Sequence, residues 1–191
     1  VEWDTYTGST RVVFEETDEV TVRLRHGWFN KPLIAPLPDT DELVWFSERS
    51  GWGHLYLYDL TSGELKHQIT GIAANGELSA DKEFSANKDG EWLVRDILHV
   101  DTEKRELLLQ TAGRDPDINP YYRDICQVNI DSGTLTPLVT GNFEHVVHQP
   151  GDVNSGCYIG IPGYGSSKGT LCSGVSPCGD YLMTTRSRVD T

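Results

Sequence analysis

The sequence predicts an all-β fold, a partial β-propeller of about three four-stranded antiparallel blades. Strand-like runs of period two carry the clearest patterning, glycine-centred turns recur in register along the chain, and helical patterning is nearly absent.

The elements follow in order. Asp4-Thr-Tyr-Thr-Gly8 reads as a turn feeding the short strand Arg11-Val-Val-Phe14, and the acidic run Glu15–Glu19 after it reads as a solvated turn. Pro38-Asp-Thr-Asp41 is a turn before the strand Glu42–Glu48. Arg49-Ser-Gly-Trp-Gly53 then closes a hairpin onto His54–Leu60, where Leu55 and Leu57 share one face and Tyr56 and Tyr58 the other. Thr61-Ser-Gly63 turns the chain into a third strand, Leu65–Ile69, stopped by Thr70-Gly71. Only Ser79–Glu83 has helix composition, and Asn87-Lys-Asp-Gly90 breaks it before a strand beginning near Trp92. Asn129-Ile-Asp-Ser-Gly-Thr-Leu-Thr-Pro-Leu-Val-Thr-Gly141 echoes Asp59–Gly71, with Ser, Gly, Leu, Thr and Gly in register. Ser176-Pro-Cys-Gly179 precedes a last run, Tyr181-Leu-Met183. The turn glycines Gly8, Gly63 and Gly133 are 55 and 70 residues apart (63 − 8 and 133 − 63), the scale of propeller blades with loop insertions. The expected division is the end of a blade at 1–19, blades at 20–77 and 78–141, and an incomplete blade at 142–191. The rival is a self-contained β-sandwich whose turns resemble one another by chance.

The chain has 191 residues, enough for one ordinary domain with a real core, and is too apolar and aromatic for a disordered tail. Its net charge of −13 repels phosphate backbones and anionic lipid, so neither nucleic acid nor a membrane surface is an expected partner. It has no apolar run of the roughly 18 residues needed to span a bilayer as a helix. It begins Val1-Glu2-Trp3 and stops at Arg188-Val-Asp-Thr191 directly after a strand-like run, so it is expected to be an excised piece. Cys126, Cys157, Cys172 and Cys178 allow three pairings and contain no C-x-x-C, which leaves disulfides and compartment undecided.

Ser47-Glu-Arg-Ser-Gly-Trp-Gly-His-Leu-Tyr-Leu-Tyr-Asp59 resembles the S-E-x-x-G-x-x-H-L-Y signature of the N-terminal β-propeller of dipeptidyl peptidase IV-type enzymes. The resemblance continues at Asp117-Ile-Asn-Pro120, Leu135–Gly141, Val175–Tyr181 and Ser187–Thr191, spanning most of residues 38–191. It implies a serine exopeptidase that removes short peptides from N-termini. In that family the propeller covers an α/β-hydrolase domain, later in the chain, that carries the Ser-Asp-His triad. These 191 residues match none of that domain, so no catalytic residue is assigned here. The family's paired glutamates, which hold the substrate's amino terminus, find no counterpart in Glu15-Glu16, whose surroundings differ. The family's funnel-facing loop falls near Trp28-Phe29-Asn30, which makes Trp28 and Phe29 the substrate-lining candidates. The alternative for them is an aromatic pair capping the edge of a blade.

Other motifs fit structural roles better. Gly165-Ser-Ser-Lys-Gly169 matches G-x-S-x-G, but no helix pattern follows Ser167 and no His lies beyond His148, so a hairpin loop is expected. Asp115-Pro-Asp-Ile-Asn119 starts like a calcium loop, yet Pro120 and Cys126 occupy its required Gly and Glu positions. Its Asp and Asn side chains are expected to bond the backbone instead. His145 and His148 point to opposite faces of a strand and cannot chelate together, with or without Cys157. His54 is expected to make structural hydrogen bonds. No metal or cofactor is called for.

The resulting expectation is a non-catalytic propeller segment that gates and walls the active site of a dipeptidyl peptidase IV-like serine exopeptidase. Its partners would be the C-terminal α/β-hydrolase domain, the peptide substrate and a second copy in a homodimer. A non-enzymatic, protein-binding propeller of the TolB type is the alternative.

Overall fold

The structure, a computed structural model, describes residues 1–18, 21–24, 32–71, 90–139, 141–147 and 174–189. It is all-β. Strands β1 (Glu2–Trp3) and β2 (Thr10–Arg11) form a short hairpin. Strands β3 (Ile34–Leu37), β4 (Glu42–Ser47), β5 (His54–Asp59) and β6 (Leu65–Gln68) make a four-stranded antiparallel meander in chain order. Strands β7 (Leu93–Asp101), β8 (Glu106–Ala112), β9 (Arg123–Asn129) and β10 (Leu135–Pro137) make a second. Strand β11 (Glu144–Val146) pairs with β12 (Thr185–Ser187). The meanders stack as the blades of a partial propeller.

The predicted hairpin is seen in register, with Trp45 opposite Tyr56 and Ser47 opposite His54. The Pro38 turn is a single 3-10 turn, Pro38–Thr40, and strand β3 before it had no period-two signal to announce it. The run Tyr181–Met183 contributes one bridge, Val175 to Leu182, around the Ser176–Gly179 turn, and the strand proper is β12. Ser79–Glu83 lies outside the described residues.

The three predicted turns share one geometry. Asp4 Oδ1 accepts the amides of Tyr6 and Thr7, Asp59 Oδ1 that of Ser62, and Asn129 Oδ1 those of Asp131 and Ser132. The amide of Gly8, Gly63 or Gly133 then donates back to the carbonyl of Asp4, Asp59 or Asn129 at 2.8–2.9 Å. Each glycine is left-handed, at φ of 75°, 76° and 67°. A short polar side chain opening the turn and a glycine closing it is therefore the physical content of the repeat.

The repeat extends to the stacking. Arg11 on β2 donates to the carbonyls of Leu60 and Thr61 on the first meander at 2.7 and 3.0 Å. His67 on β6 donates from Nε2 to the Ile130 carbonyl on the second at 2.8 Å. Leu60 and Ile130 are each three residues before a turn glycine, so the outer strand of one layer grips the same point of the next. The glycines mark that contact too: a Cβ on Gly63 would drive into the Val13 carbonyl, and one on Gly133 would stand 3.0 Å from the Ile69 carbonyl. Gly8 has open space around it. Gly8→Ala should thus cost only the left-handed backbone penalty, about 1–2 kcal/mol. Gly63→Ala should cost more, and chemical denaturation of the two variants checks the order.

Burial follows the period. Leu55 and Leu57 pack with Val44 and Phe46 against Val94, Leu107, Leu109, Cys126 and Val128 of the second meander. Tyr56 and Tyr58 line the opposite face, where the Phe14 ring stacks on Tyr58 at 4.1 Å between centroids and meets Trp45 edge-on at 5.0 Å. The second meander is also buried on both sides, since Leu98, Leu108 and Ile125 pack with Val147 and Val175. Two-faced burial is what an interior layer of a stack requires.

Candidate functional site

The substrate-lining candidates Trp28 and Phe29 lie outside the described residues, as do Ser167, His148 and Cys157. The described flanks of the Trp28–Phe29 stretch are tied together, the Leu33 amide donating to the Leu24 carbonyl at 2.8 Å.

Beside them stands a cluster on the Tyr face of the first meander. The β4–β5 turn lifts Arg49 so that its guanidinium lies 4.5 Å over the Tyr56 ring and donates to the Tyr58 hydroxyl at 2.7 Å. Its Nε donates to Ser47 Oγ at 3.0 Å, and Nη2 is 3.3 Å from the Glu16 carboxylate. Glu16 also accepts from Trp45 Nε1 at 2.5 Å and from Ser47 Oγ. This corrects the reading of Glu15–Glu19 as a solvated turn at Glu16, whose side chain is 13% exposed. A charge run on a single strand-like segment carries no signal of the indole and guanidinium that fold onto it.

The signature stretch resolves into structural tasks. Ser47 holds Glu16, Glu48 faces Arg23 at 3.9 Å, Arg49 covers the tyrosines, and Leu55 is core. His54 makes the structural bonds expected of it, with Nε2 donating to the Gly90 carbonyl at 2.8 Å and Nδ1 3.2 Å from Thr70 Oγ1. Its ring meets Trp92 edge-on at 4.8 Å. Burial pushes the His54 imidazole below its ordinary value, only partly opposed by the Gly90 bond.

An ionic network crosses from the first meander to the second. The Glu42 carboxylate, 3% exposed, accepts from Lys66, from Thr40 Oγ1 at 2.7 Å and from Arg105 at 2.7 Å. Arg105 also grips Asp131 through two bonds of 2.6 and 2.8 Å. Burial alone would raise the Glu42 carboxyl, but the bonds from Lys66, Thr40 and Arg105 outweigh it and hold it below the ordinary range. Arg105 was missed by sequence reasoning. The available signal was its place in Asp101-Thr-Glu-Lys-Arg105, a fourth copy of the turn in which Asp101 Oδ1 accepts the Lys104 amide and Arg105 takes the glycine's place at φ 57°.

A groove of about 530 Å³ lies between β7 and the Val175–Leu182 hairpin, lined by Leu98, His99, Val175, Pro177, Tyr181 and Met183. It offers mainly apolar contact, and Ser176, which also lines it, is bonded within its own turn to the Tyr181 amide and Cys178 Sγ. Asp115 Oδ1 accepts the Asp117 amide and Asn119 Oδ1 the Tyr121 amide, which is the expected backbone-bonding loop. His145 is buried, and neither ring nitrogen has a hydrogen-bond partner. Cys126 and Cys178 are free thiols, and burial pushes that of Cys126 up to about 12. Among the described residues no group of three or more His, Cys, Asp or Glu side chains could hold a metal ion.

A family model described as the dipeptidyl peptidase IV (DPP IV) N-terminal region matches residues 1–159. Dipeptidyl peptidase 4 of Arthroderma otae is 32% identical over 117 residues, 59% of this chain and 12% of that protein. Dipeptidyl peptidase 4 of Trichophyton rubrum is 30% identical over 135 residues, 67% of this chain and 14% of that protein. The chain thus spans about an eighth of the length of these relatives. A crystal structure of Porphyromonas gingivalis dipeptidyl peptidase 4 is similar over 56% of this chain and 12% of that one, at 21% identity and a TM-score of 0.36.

Proposed function

Because the chain belongs to the dipeptidyl peptidase IV N-terminal region family, we propose that it is a non-catalytic propeller segment that gates and walls the active site of a serine exopeptidase. The observation that carries this reading is the stacked meander itself. Its polar groups are spent on holding layers together: Glu42, Arg105, His54 and His67 all bond across sheets. Such a body is suited to act as a rigid wall, which restricts access to a separate catalytic domain by size rather than reacting with the peptide.

On this reading the partners are an α/β-hydrolase domain and a peptide with a free amino terminus, and a second copy of the propeller supplies dimer contacts. Trp28 and Phe29 would line the substrate side. The Glu16–Arg49 cluster would brace the base of the segment that carries them.

The test is a chimaera in which this chain replaces the matched segment of Arthroderma otae dipeptidyl peptidase 4. Expected is hydrolysis of a short chromogenic Xaa-Pro substrate by the chimaera and none by the isolated 191-residue chain. Hydrolysis by the isolated chain, or a folded chimaera that has lost activity, overturns the proposal.

A further inference from the structure

We propose that the seams between successive layers form an acid-sensitive latch, closed while His54 and His145 are neutral and loosened when they take up protons in mildly acidic solution. The latch is independent of the peptidase reading, since it concerns only the packing of this chain.

At His54 the hydrogen bonds suit the neutral ring. A carbonyl can only accept, so Nε2, 2.8 Å from the Gly90 oxygen, carries the ring proton. Thr70 Oγ1 accepts the Leu55 amide at 2.9 Å and can turn its own proton toward Nδ1, 3.2 Å away. Every donor and acceptor of the neutral ring is thereby used. A proton added to Nδ1 would turn the Thr70 hydroxyl from donor to acceptor and place a charge in the buried seam that joins β5 to the start of the second meander. Among the described residues, those beside the ring, Ser47 on the paired strand, Thr70 and Gly71 after β6, and Gly90 and Trp92, are all uncharged. Glu48, next to Ser47, faces Arg23. The Gly71 backbone sits against the ring so closely that a Cβ there would collide with it.

His145 closes the next seam. It sits on β11, opposite Arg186 of β12, 5% exposed and without a partner for either ring nitrogen. Among the described residues, the charged groups that face it are Arg186, Asp124 of β9 and Glu144 on its own strand. Both carboxylates are already engaged, Asp124 by Thr111 and Arg114, and Glu144 by Arg123. Burial and Arg186 hold the imidazole below its ordinary value against the pull of those two carboxylates. His67 is the contrast: its Nε2 donates to the Ile130 carbonyl, and that bond is unchanged in the imidazolium form.

The direction follows from linkage. Both folded values lie below 6.5, so the unfolded chain binds more protons in this window. The stabilisation is complete above pH 6.5 and is lost as the pH falls below it. Each unit between folded and unfolded values is worth about tenfold in the ratio of folded to unfolded chain.

Urea unfolding of the 191-residue chain at pH 7.5, 6.5, 5.5 and 5.0, with imidazole nitrogen NMR of the folded chain, tests this. Expected is a fall of about tenfold or more in the folded-to-unfolded ratio between pH 7.5 and 5.0, with His54 seen as the Nε2–H tautomer. His54→Gln, which keeps a donor for Gly90, and His145→Leu should each flatten the slope. A ratio unchanged over this range overturns the latch, as does titration of His54 and His145 at or above 6.5 in the folded chain. The NMR titration needs no variant and decides the matter if either substitution prevents folding.

Discussion

Phe46→Ala is expected to destabilise the chain by about 3–5 kcal/mol, the range for emptying an aromatic site in a close-packed core. Phe46 is fully buried on the face of β4 that meets the second meander, in one cluster with Leu55, Leu57, Val94, Leu107 and Val128. These neighbours come from two sheets whose backbones are tied by their own hydrogen bonds, so the cavity cannot collapse without shifting one meander against the other. Urea denaturation followed by tryptophan fluorescence reads the loss, with Val12→Ala as the control. Val12 is 69% exposed, and its truncation should stay within about 0.5 kcal/mol. A loss below about 1 kcal/mol for Phe46→Ala would mean that the meanders do not share this core.

Arg105→Ala is the second large effect. It strips the buried Glu42 carboxylate of its partner from the adjacent meander and frees Asp131. Breaking a buried ion pair by removing one member costs about 3–5 kcal/mol. Arg105 is 22% exposed and Lys66 stays beside Glu42, which places the expected loss near the lower end, about 3 kcal/mol. Arg105→Gly removes the same guanidinium but relieves a left-handed backbone, so it should be milder by about 1 kcal/mol. The pair of variants therefore separates the ionic contact from the turn. The acid limb adds a signature. Glu42 is held below 4.5, so its contribution is present above that pH and lost as the pH falls through its folded value. In Arg105→Ala that limb should shrink, whereas the histidine-dependent limb at higher pH should remain.

Both effects concern how layers meet, and that is where the sequence was least legible. Within a layer it was clear. Alternating Leu and Tyr in His54–Leu60 announced β5 and the residues on each of its faces, and the recurrence of Ser-Gly after Asp59 and Asn129 announced turns of one shape. Such signals are local: period two follows from the pleat, and a left-handed turn selects glycine within a few residues. Strand β3, Ile34–Leu37, escaped because two prolines flank and interrupt four residues, too few to show a period.

The candidate site was legible only as a signature. Ser47–Tyr56 pointed to a family, and residues 1–159 belong to it. What those residues do within the fold required partners 29 and 31 residues away, Glu16 bonding Trp45 and Ser47, and 36 residues away, His54 bonding Gly90. No spacing encodes such pairs, because the loops between layers vary in length while the stacked geometry does not.

By itself, then, the sequence determined an all-β chain of repeated meanders and the family to which it belongs. Tertiary structure decided that Glu16 is held rather than solvated, that Arg105 stands in a glycine's place to reach Glu42, and that His54 locks one meander to the next. The physical reason is range. Strand period and turn shape are set by neighbours along the chain, whereas a buried charge or imidazole is set by what another layer brings to meet it.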